Sequence, residues 1–417
     1  MKETKFKDTE IGKIPEEWEI GYFGDVLCTF SAGATPYRGI PDYYNGKINW
    51  ISSGELNYNV IYDTIEHISE EALRNTNLCL HAPGTFLMAI TGLEATGTRG
   101  KCAFVGAPSA TNQSCLAING TNKMDIKYLY WYYRMYGDYL AFKYSQGTKQ
   151  QSFTATIVKN LPITYPKQVI EQHHIASALT SIDNLIASLG KLIEKKKNIK
   201  QGAMQQLLTG KTRLKGFNEP WMEHTIDELF DLGNGYTPSK SNPAYWTNGT
   251  IPWFRMEDIR TNGRILKDSI QHVTPEAVKG NGLYPKYSII LSTTATIGEH
   301  ALLIADSLAN QRFTFLNRKV NRRDMIDIIF FYHYCFILGK WCRDNINAGG
   351  LLAVNMDDLK NHSIYIPKSI AEQQAIATIL TKMDDEITAL EAKRAKYEAI
   401  KQGMMQQLLT GKIRLIS

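Results

Sequence analysis

No stretch of this 417-residue chain approaches the roughly 20 consecutive apolar residues of a membrane-spanning helix, and its charged start, MKETKFKDTE, is no secretory signal. The six cysteines (Cys28, Cys79, Cys102, Cys115, Cys335, Cys342) form no C-x-x-C pair, so neither a disulfide framework nor a zinc site is expected. Together these absences predict a cytoplasmic protein that does not engage a membrane. Hydrophobic residues make up 43% of the chain, enough for two cored domains of roughly 150 residues each plus further helices.

Catalytic signatures are also missing. Gly210-Lys211-Thr212 looks like the end of a phosphate-binding loop, but the preceding Gly202 is too distant and the segment follows an apolar helical pattern instead of opening one. Asn242-Pro243-Ala244-Tyr245 resembles the motif with which adenine methyltransferases hold a flipped base, yet no Gly-rich loop for a methyl donor precedes it. Glu171-Gln172-His173-His174 lacks the i, i+4 histidine spacing of a zinc helix, and its two histidines read as solvated. Pro41-Asp42 with Lys47 lacks the further acidic element of a metal-dependent nuclease. The chain therefore reads as non-catalytic, with no cofactor of its own.

What the chain does contain is itself, twice. Gln201 to Leu214 reads QGAMQQLLTGKTRL and Gln402 to Leu415 reads QGMMQQLLTGKIRL, twelve of fourteen positions repeating at an offset of 201. The same offset joins Lys159-Asn160 to Lys360-Asn361, Pro166-Lys167 to Pro367-Lys368, and Glu171-Gln172 to Glu372-Gln373. Elsewhere the halves still correspond but the offset slips: Ala34-Thr35-Pro36 answers Tyr236-Thr237-Pro238 at 202, Trp18 and Trp50 answer Trp221 and Trp253 at 203, and Asn112-Gln113 answers Asn310-Gln311 at 198. Insertions of this kind accumulate in loops. The order is variable, constant, variable, constant, with boundaries placed at 1–160, 161–215, 216–362 and 363–417.

The constant segments read as helices. Ile175, Leu179, Ile182, Ile186 and Leu189 step by 4, 3, 4 and 3, and Ile376, Leu380, Met383, Ile387 and Leu390 repeat the pattern, giving a narrow a/d seam. Ser369 with Glu372 predicts a capping box, and Gly210 and Gly411 predict glycine stops. Helices over about 168–209 and 369–410 would each be roughly 60 Å long. The simplest cover for each seam is the other helix, antiparallel and related by a pseudo-two-fold axis, with the variable domains held apart. Charge follows the same division: residues 159–215 carry a net +7 and 360–417 a net +3, while 1–158 and 216–359 carry −2 each. The run Lys195-Lys196-Lys197 reads as a solvated helix face.

Three polar loop families recur in both variable domains. The first, Ser31 to Asn45 and Gly233 to Asn248, carries Tyr37, Arg38, Tyr236, Ser239 and Lys240. The second, Thr91 to Lys101 and Ser292 to His300, carries Thr98, Arg99, Lys101, Thr293 and Thr294. The third, Ser145 to Thr154 and Asn345 to Asn355, carries Gln146, Lys149, Gln150, Gln151, Asn345 and Asn347. These side-chain types can hydrogen-bond base edges and phosphates, so they are the candidate DNA contacts.

The arrangement resembles the specificity (S) subunit of a type I restriction-modification system. Ile14-Pro15-Glu16-Glu17-Trp18, Thr35-Pro36, Asn112-Gln113 and Ile163-Thr164-Tyr165-Pro166 leading into Glu171-Gln172 match its recurrent features, as do their second copies, and the likeness spans essentially the whole chain. A single Pro166 or Pro367 stands where the family usually has a proline pair. The resemblance implies a mixed α/β fold with two target-recognition domains built on twisted sheets, separated by two long antiparallel helices. It also implies that each domain reads one half of a bipartite site in double-stranded DNA, that the helices set the spacer and dock two methyltransferase (M) subunits, and that restriction/translocase (R) subunits join for cleavage. S-adenosylmethionine, ATP and Mg then belong to those partners. The competing reading is an enzyme, a duplicated DNA methyltransferase or nuclease with an unrecognised active site; a protein-holding scaffold is a third.

Overall fold

The computed structural model describes residues 5–9, 12–280, 282–347 and 352–416. Each variable segment folds as a mixed α/β domain around a five-stranded sheet. In the first the strand order is Leu27–Ala32, Cys115–Gly120, Phe86–Ala89, Cys102–Val105, Val60–Ile61, and in the second Phe230–Asn234, Phe313–Arg318, Ile289–Ser292, His300–Leu303, Ile265–Leu266. All neighbours are antiparallel except the last pair, which is parallel in both. Within the β-rich runs around 84–90 and 287–292 lie the central strands Phe86–Ala89 and Ile289–Ser292, buried throughout and, but for Ser292, apolar. Beside each lies a three-stranded sheet, Ser109–Thr111, Ile48–Ile51, His67–Ile68 in one and Leu308–Ala309, Ile251–Phe254, His272–Val273 in the other.

Four helices organise these sheets: α1 (Ile126–Tyr144) and α3 (Ile328–Asp344) within the domains, and α2 (Val169–Leu207) and α4 (Ile370–Leu408), 39 residues each. Asp125 and Asp327 cap α1 and α3, their carboxylates accepting from Lys127 N at 2.7 Å and Ile329 N at 3.0 Å. Gly210 and Gly411 end the long helices at φ +69° and +68°, the left-handed geometry that a glycine stop supplies. A side chain at Gly411 would also run into Pro15 Cγ at 2.3 Å.

The compact units cut across the four sequence segments. One is Met1–Gly190 with Ala392–Ser417 and the other Lys191–Glu391, so each contains a domain and part of both long helices. Within the first unit the helix segments run antiparallel, Lys401 meeting Asp183 at 2.8 Å and Arg394 facing Gly190. Within the second, Lys196 meets Glu386 and Lys197 meets Glu391, both at 2.6 Å, and Lys200 meets Asp384 at 2.5 Å. Two of the three lysines of the run, Lys196 and Lys197, are thus engaged by Glu386 and Glu391 of the facing helix, and Lys200 by its Asp384.

The seam needs correction in one respect. Ile175 and Leu179 are buried in the core of the first domain together with Leu408 at the end of α4 and Leu409 just past it, and Ile376 and Leu380 in that of the second with Leu207 at the end of α2 and Leu208 just past it. The start of each helix therefore packs on its own domain as well as on the end of the other helix. Ile186, Leu189 and Ile387, further along, are buried, while Ile182, Met383 and Leu390 are half-buried. The reason lies in the Glu-Gln pairs. Gln172 accepts from Asp125 N at 2.8 Å and donates to Lys123 O and Pro166 O, both at 2.9 Å, fixing α2 beneath the start of α1. Gln373 does the same with Asp327 N, Met325 O and Pro367 O.

The glutamates explain why LLTGKxRL repeats so closely. Arg414, just past the end of α4, forks onto the buried Glu171 at 2.5 and 2.7 Å, and Arg213, past the end of α2, forks onto the buried Glu372 at 2.6 and 2.7 Å. Two parallel charge-assisted bonds fix angle as well as distance. Ser369 does accept from Glu372 N at 3.4 Å, but the Glu372 carboxylate turns to Arg213, so only half of the expected capping box forms.

Candidate nucleic-acid interface

Strand register brings the loop families of each domain to one edge of its large sheet. In the first domain Leu116 lies between Ala32 and Met88, so the chain segments after Ala32 and Ala89 and before Cys115 emerge side by side. Gly33 N donates to Cys115 O at 3.3 Å, Ile90 N to Ser114 O at 2.9 Å and Phe153 N to Ile90 O at 2.8 Å. The second domain repeats this with Gly235 N to Phe313 O at 2.9 Å and Val354 N to Thr293 O at 2.9 Å. Second and third loops are further joined by Leu93 N to Gln151 O at 3.0 Å and Gln151 N to Glu94 Oε2 at 2.9 Å. Gly100 and Gly298, at φ +71° and +85°, seat the second loops on α1 and α3, where a Cβ would lie 2.6 Å from Asp138 N and 2.2 Å from Gly339 O.

The Thr-Pro and Asn-Gln repeats meet here. Thr35 hydrogen-bonds the Gln113 side-chain oxygen, and Thr237 does the same to Gln311 at 2.6 Å. Trp50 Nε1 donates to Ala34 O at 3.1 Å and Trp253 Nε1 to Tyr236 O at 2.9 Å, so both first loops are tied to the small sheets. A repeat absent from the motifs above is Asp63-Thr64-Ile65-Glu66-His67-Ile68 against Asp268-Ser269-Ile270-Gln271-His272-Val273, legible at an offset of 205. Thr64 and Ser269 hydroxyls receive the Trp50 and Trp253 backbone N–H at 3.2 and 3.0 Å, and His67 and His272 pair with Asp63 and Asp268 at 2.9 and 2.6 Å. The His272 hydrogen bond lowers the Asp268 pKa from the usual carboxylate value.

The candidate contacts separate into free and engaged groups. Tyr37 is 74% exposed, and Gln146, Lys149, Gln150, Lys240 and Asn347 are exposed on their loops, as are Ser239 and Asn345, although the Ser239 hydroxyl meets Ser241 at 2.8 Å and the Asn345 amide donates to Trp341 O at 2.9 Å. Arg38 is bound bidentately to Glu66 at 2.7 and 2.8 Å and lies 4.7 Å from the Tyr44 ring centroid; the hydrogen bonds raise its pKa and lower that of Glu66. Arg99 pairs with Asp138 at 2.6 Å, and Lys101 donates to Asn57 at 2.9 Å above the Tyr58 ring. Tyr236 is held through its hydroxyl by Ala277 O and Lys279 N, at 3.1 and 2.9 Å. Thr293 is buried and its hydroxyl meets Thr314 at 3.0 Å, so it cannot face a ligand in this conformation; Thr98, Thr294 and Gln151 are half-buried. Part of the third loop of the second domain, 348–351, lies outside the described residues.

The decoys resolve locally. Asn242 Oδ1 accepts from Ala244 N at 3.1 Å, making the Asn-Pro-Ala-Tyr run a capped turn. His173 pairs with Asp125 and His174 with Leu415 O, each at 3.1 Å. Among the described residues no three His, Cys, Asp or Glu side chains gather as metal ligands, and no helix is long and apolar enough to cross a membrane.

Two α/β domains of one topology, each gathering polar loops at one sheet edge, define a tandem recognition protein whose halves share a frame and differ in surface. The type I restriction modification DNA specificity domain matches residues 15–200 and again 218–402, and the chain belongs to that family. The type I restriction enzyme EcoprrI specificity subunit of Escherichia coli is 48% identical over 173 residues, covering 40% of this chain and 43% of that protein. The MjaIX specificity subunit of Methanocaldococcus jannaschii is 24% identical over 435 residues, covering 99% of this chain and 97% of its own. The crystal structure of a type I restriction-modification S subunit from M. genitalium shares the fold, with TM-score 0.61 at 15% identity over 94% of this chain and 96% of that one.

Proposed function

We propose that the chain is the specificity subunit of a type I restriction-modification complex, with each domain reading one half of a bipartite, asymmetric DNA site through the loops at its sheet edge. The observation that carries this reading is the contrast between frame and surface. Topology, tryptophan anchors and Thr–Gln ties are duplicated, whereas Tyr37 and Arg38 of the first domain are answered by Ser239 and Lys240 in the second. A shared frame places both loop sets alike on DNA; unlike side chains read unlike bases.

Charge assigns a role to partners. Arg38 and Arg99 are each matched by a carboxylate, which leaves Lys101, Lys149 and Lys240 as the candidate cations that no carboxylate among the described residues pairs with. Phosphate neutralisation dominates sequence-independent affinity, so two M subunits docked on the helices would supply much of the affinity, with R subunits joining for cleavage. Methyl transfer, with its S-adenosylmethionine, and ATP- and Mg-dependent translocation then reside in those partners. Localisation follows as cytoplasmic, with the DNA.

Long-read mapping of methylation in cells carrying this chain and its M subunit tests the reading. The expected outcome is one two-part motif with unequal halves, whereas a palindromic or continuous motif would count against it. Purified chain alone should transfer no radiolabelled methyl group to DNA; transfer would favour the enzyme reading.

A further inference from the structure

A cleft of about 240 Å³ opens in the first unit between α1, the strand Pro162–Pro166, the segment Lys13–Ile14 and the turn Leu409–Thr410. Four tyrosines line it, Tyr132, Tyr136, Tyr139 and Tyr144, together with Lys13 and Lys143, and among the described residues no carboxylate does. The Tyr132 and Tyr136 rings lie 4.8 Å apart at 44°, a tilted pair at the wall. Lys143 Nζ donates to the Tyr139 hydroxyl at 3.1 Å and sits 5.4 and 5.3 Å from the Tyr139 and Tyr144 ring centroids. That hydrogen bond raises its pKa, so the ammonium stays charged. Lys13 has the exposed Asp8 carboxylate at 3.9 Å.

The duplication provides an internal control on what this cleft is for. Aligning the Asp125 and Asp327 caps places Leu338 opposite Tyr136, Trp341 opposite Tyr139, Asn345 opposite Lys143 and Ile346 opposite Tyr144. Gly216 stands opposite Lys13 at the tryptophan offset, and Tyr365 opposite Thr164. In the second domain Trp341 stacks on His362 at 4.1 Å and Tyr365 packs against Trp221 at 5.7 Å. The shared frame therefore folds without the two lysines and with one of the four tyrosines, kept as Tyr334. A partner that treats the two units alike has no use for them either.

We propose that this cleft is a nucleotide site confined to the first unit, its tyrosine faces stacking a nucleobase while Lys13 and Lys143 hold the phosphate. Aromatic faces stack any base, and a lysine ammonium serves phosphate as a compact point charge. A free mononucleotide and an unpaired nucleotide of a DNA strand present this same chemistry. The site is independent of the duplex-reading loops, because none of the candidate contacts lines it.

Calorimetric titration of the full chain, in complex with its M subunits, tests the proposal with three probes: adenosine monophosphate, an unstructured single-stranded hexanucleotide and inorganic phosphate. A nucleobase site binds adenosine monophosphate or the hexanucleotide at least about tenfold more tightly than phosphate. A free-nucleotide source gives similar affinities for the first two, and a strand source favours the hexanucleotide by about tenfold or more. The double variant Tyr136→Leu/Lys143→Asn installs residues the second domain already accommodates and should lose about tenfold or more in affinity at unchanged melting temperature. Should it unfold, Lys13→Gln, on an exposed hairpin, should weaken binding several-fold. No saturation by either nucleotide probe at about 10 mM, equal binding of phosphate, or unchanged affinity in a folded variant would overturn the assignment.

Discussion

Glu171 and Glu372 are among the most buried charged residues of their units, and each depends on one arginine. Glu171 is 1% exposed and takes the Arg414 fork, with Arg414 also reaching Glu17 at 3.0 Å. Removing one partner of a buried pair leaves the other charge uncompensated, typically at a cost of about 3–5 kcal/mol, whereas removing both costs far less. Arg414→Met should therefore lower stability by about 3 kcal/mol in denaturant titration, and Glu171→Met in the same chain should restore part of it. Two buried histidines work against the folded second unit in acid. Burial first, then Arg264 beside His300 and Lys200 beside His333, depress both pKa values to about 3. These are bases depressed in the folded state, so the unfolded chain takes up protons below about pH 6.5 that the folded one refuses. Stability is then complete above that pH and falls towards pH 3 by roughly 1.4 kcal/mol per pH unit for each histidine. His333→Gln, keeping a donor for Thr381, should remove about one such increment from the slope of stability against pH; an unchanged slope would contradict the assignment.

At the scale of elements, the long helices are held at their starts and ends more than along their middles. Leu179 and Leu380 are fully buried where a helix start, a domain helix and the other helix's end converge. Trp131 Nε1 donates to Thr180 at 3.1 Å and His333 contacts Thr381 at 3.0 Å, the same tie made by different side chains. Leu179→Ala and Leu380→Ala should each cost about 2–5 kcal/mol, depending on how far the site collapses. Leu185→Ala, on the same helix but 39% exposed, should stay within about 0.5 kcal/mol. Equal effects in thermal unfolding would show that the buried helix starts do not hold each unit together as described.

At the scale of the whole molecule, the proposed function makes the helices a ruler. Each 39-residue helix is uninterrupted, and inserting four residues after Leu208 adds about one turn, roughly 6 Å, to the connection before the second domain. If the helices set the spacer, the unread gap between half-sites should lengthen by about one or two base pairs at 3.4 Å each while the bases read stay the same. Methylation mapping of the insertion variant checks this. Changed half-sites with an unchanged gap would remove the helices from that role.

The sequence by itself determined the duplication, the two long helices with their glycine stops, and the edge loops, because periodicity and repeat offset are properties of order along the chain. LLTGKxRL and the Glu-Gln pairs were visible as repeats, but not as partners of one another. Arg414 and Glu171 are 243 residues apart, and only antiparallel packing makes them neighbours. Tertiary structure likewise decided which candidates are free. Arg38 and Lys149 look alike as loop cations, yet Glu66 engages one while the other stays exposed, since an ion pair depends on a partner brought close by folding. The tyrosine cleft shows the same division: its residues are plain in the sequence, but their enclosure with Leu409 and Thr410 requires the end of α4 to close against the first domain.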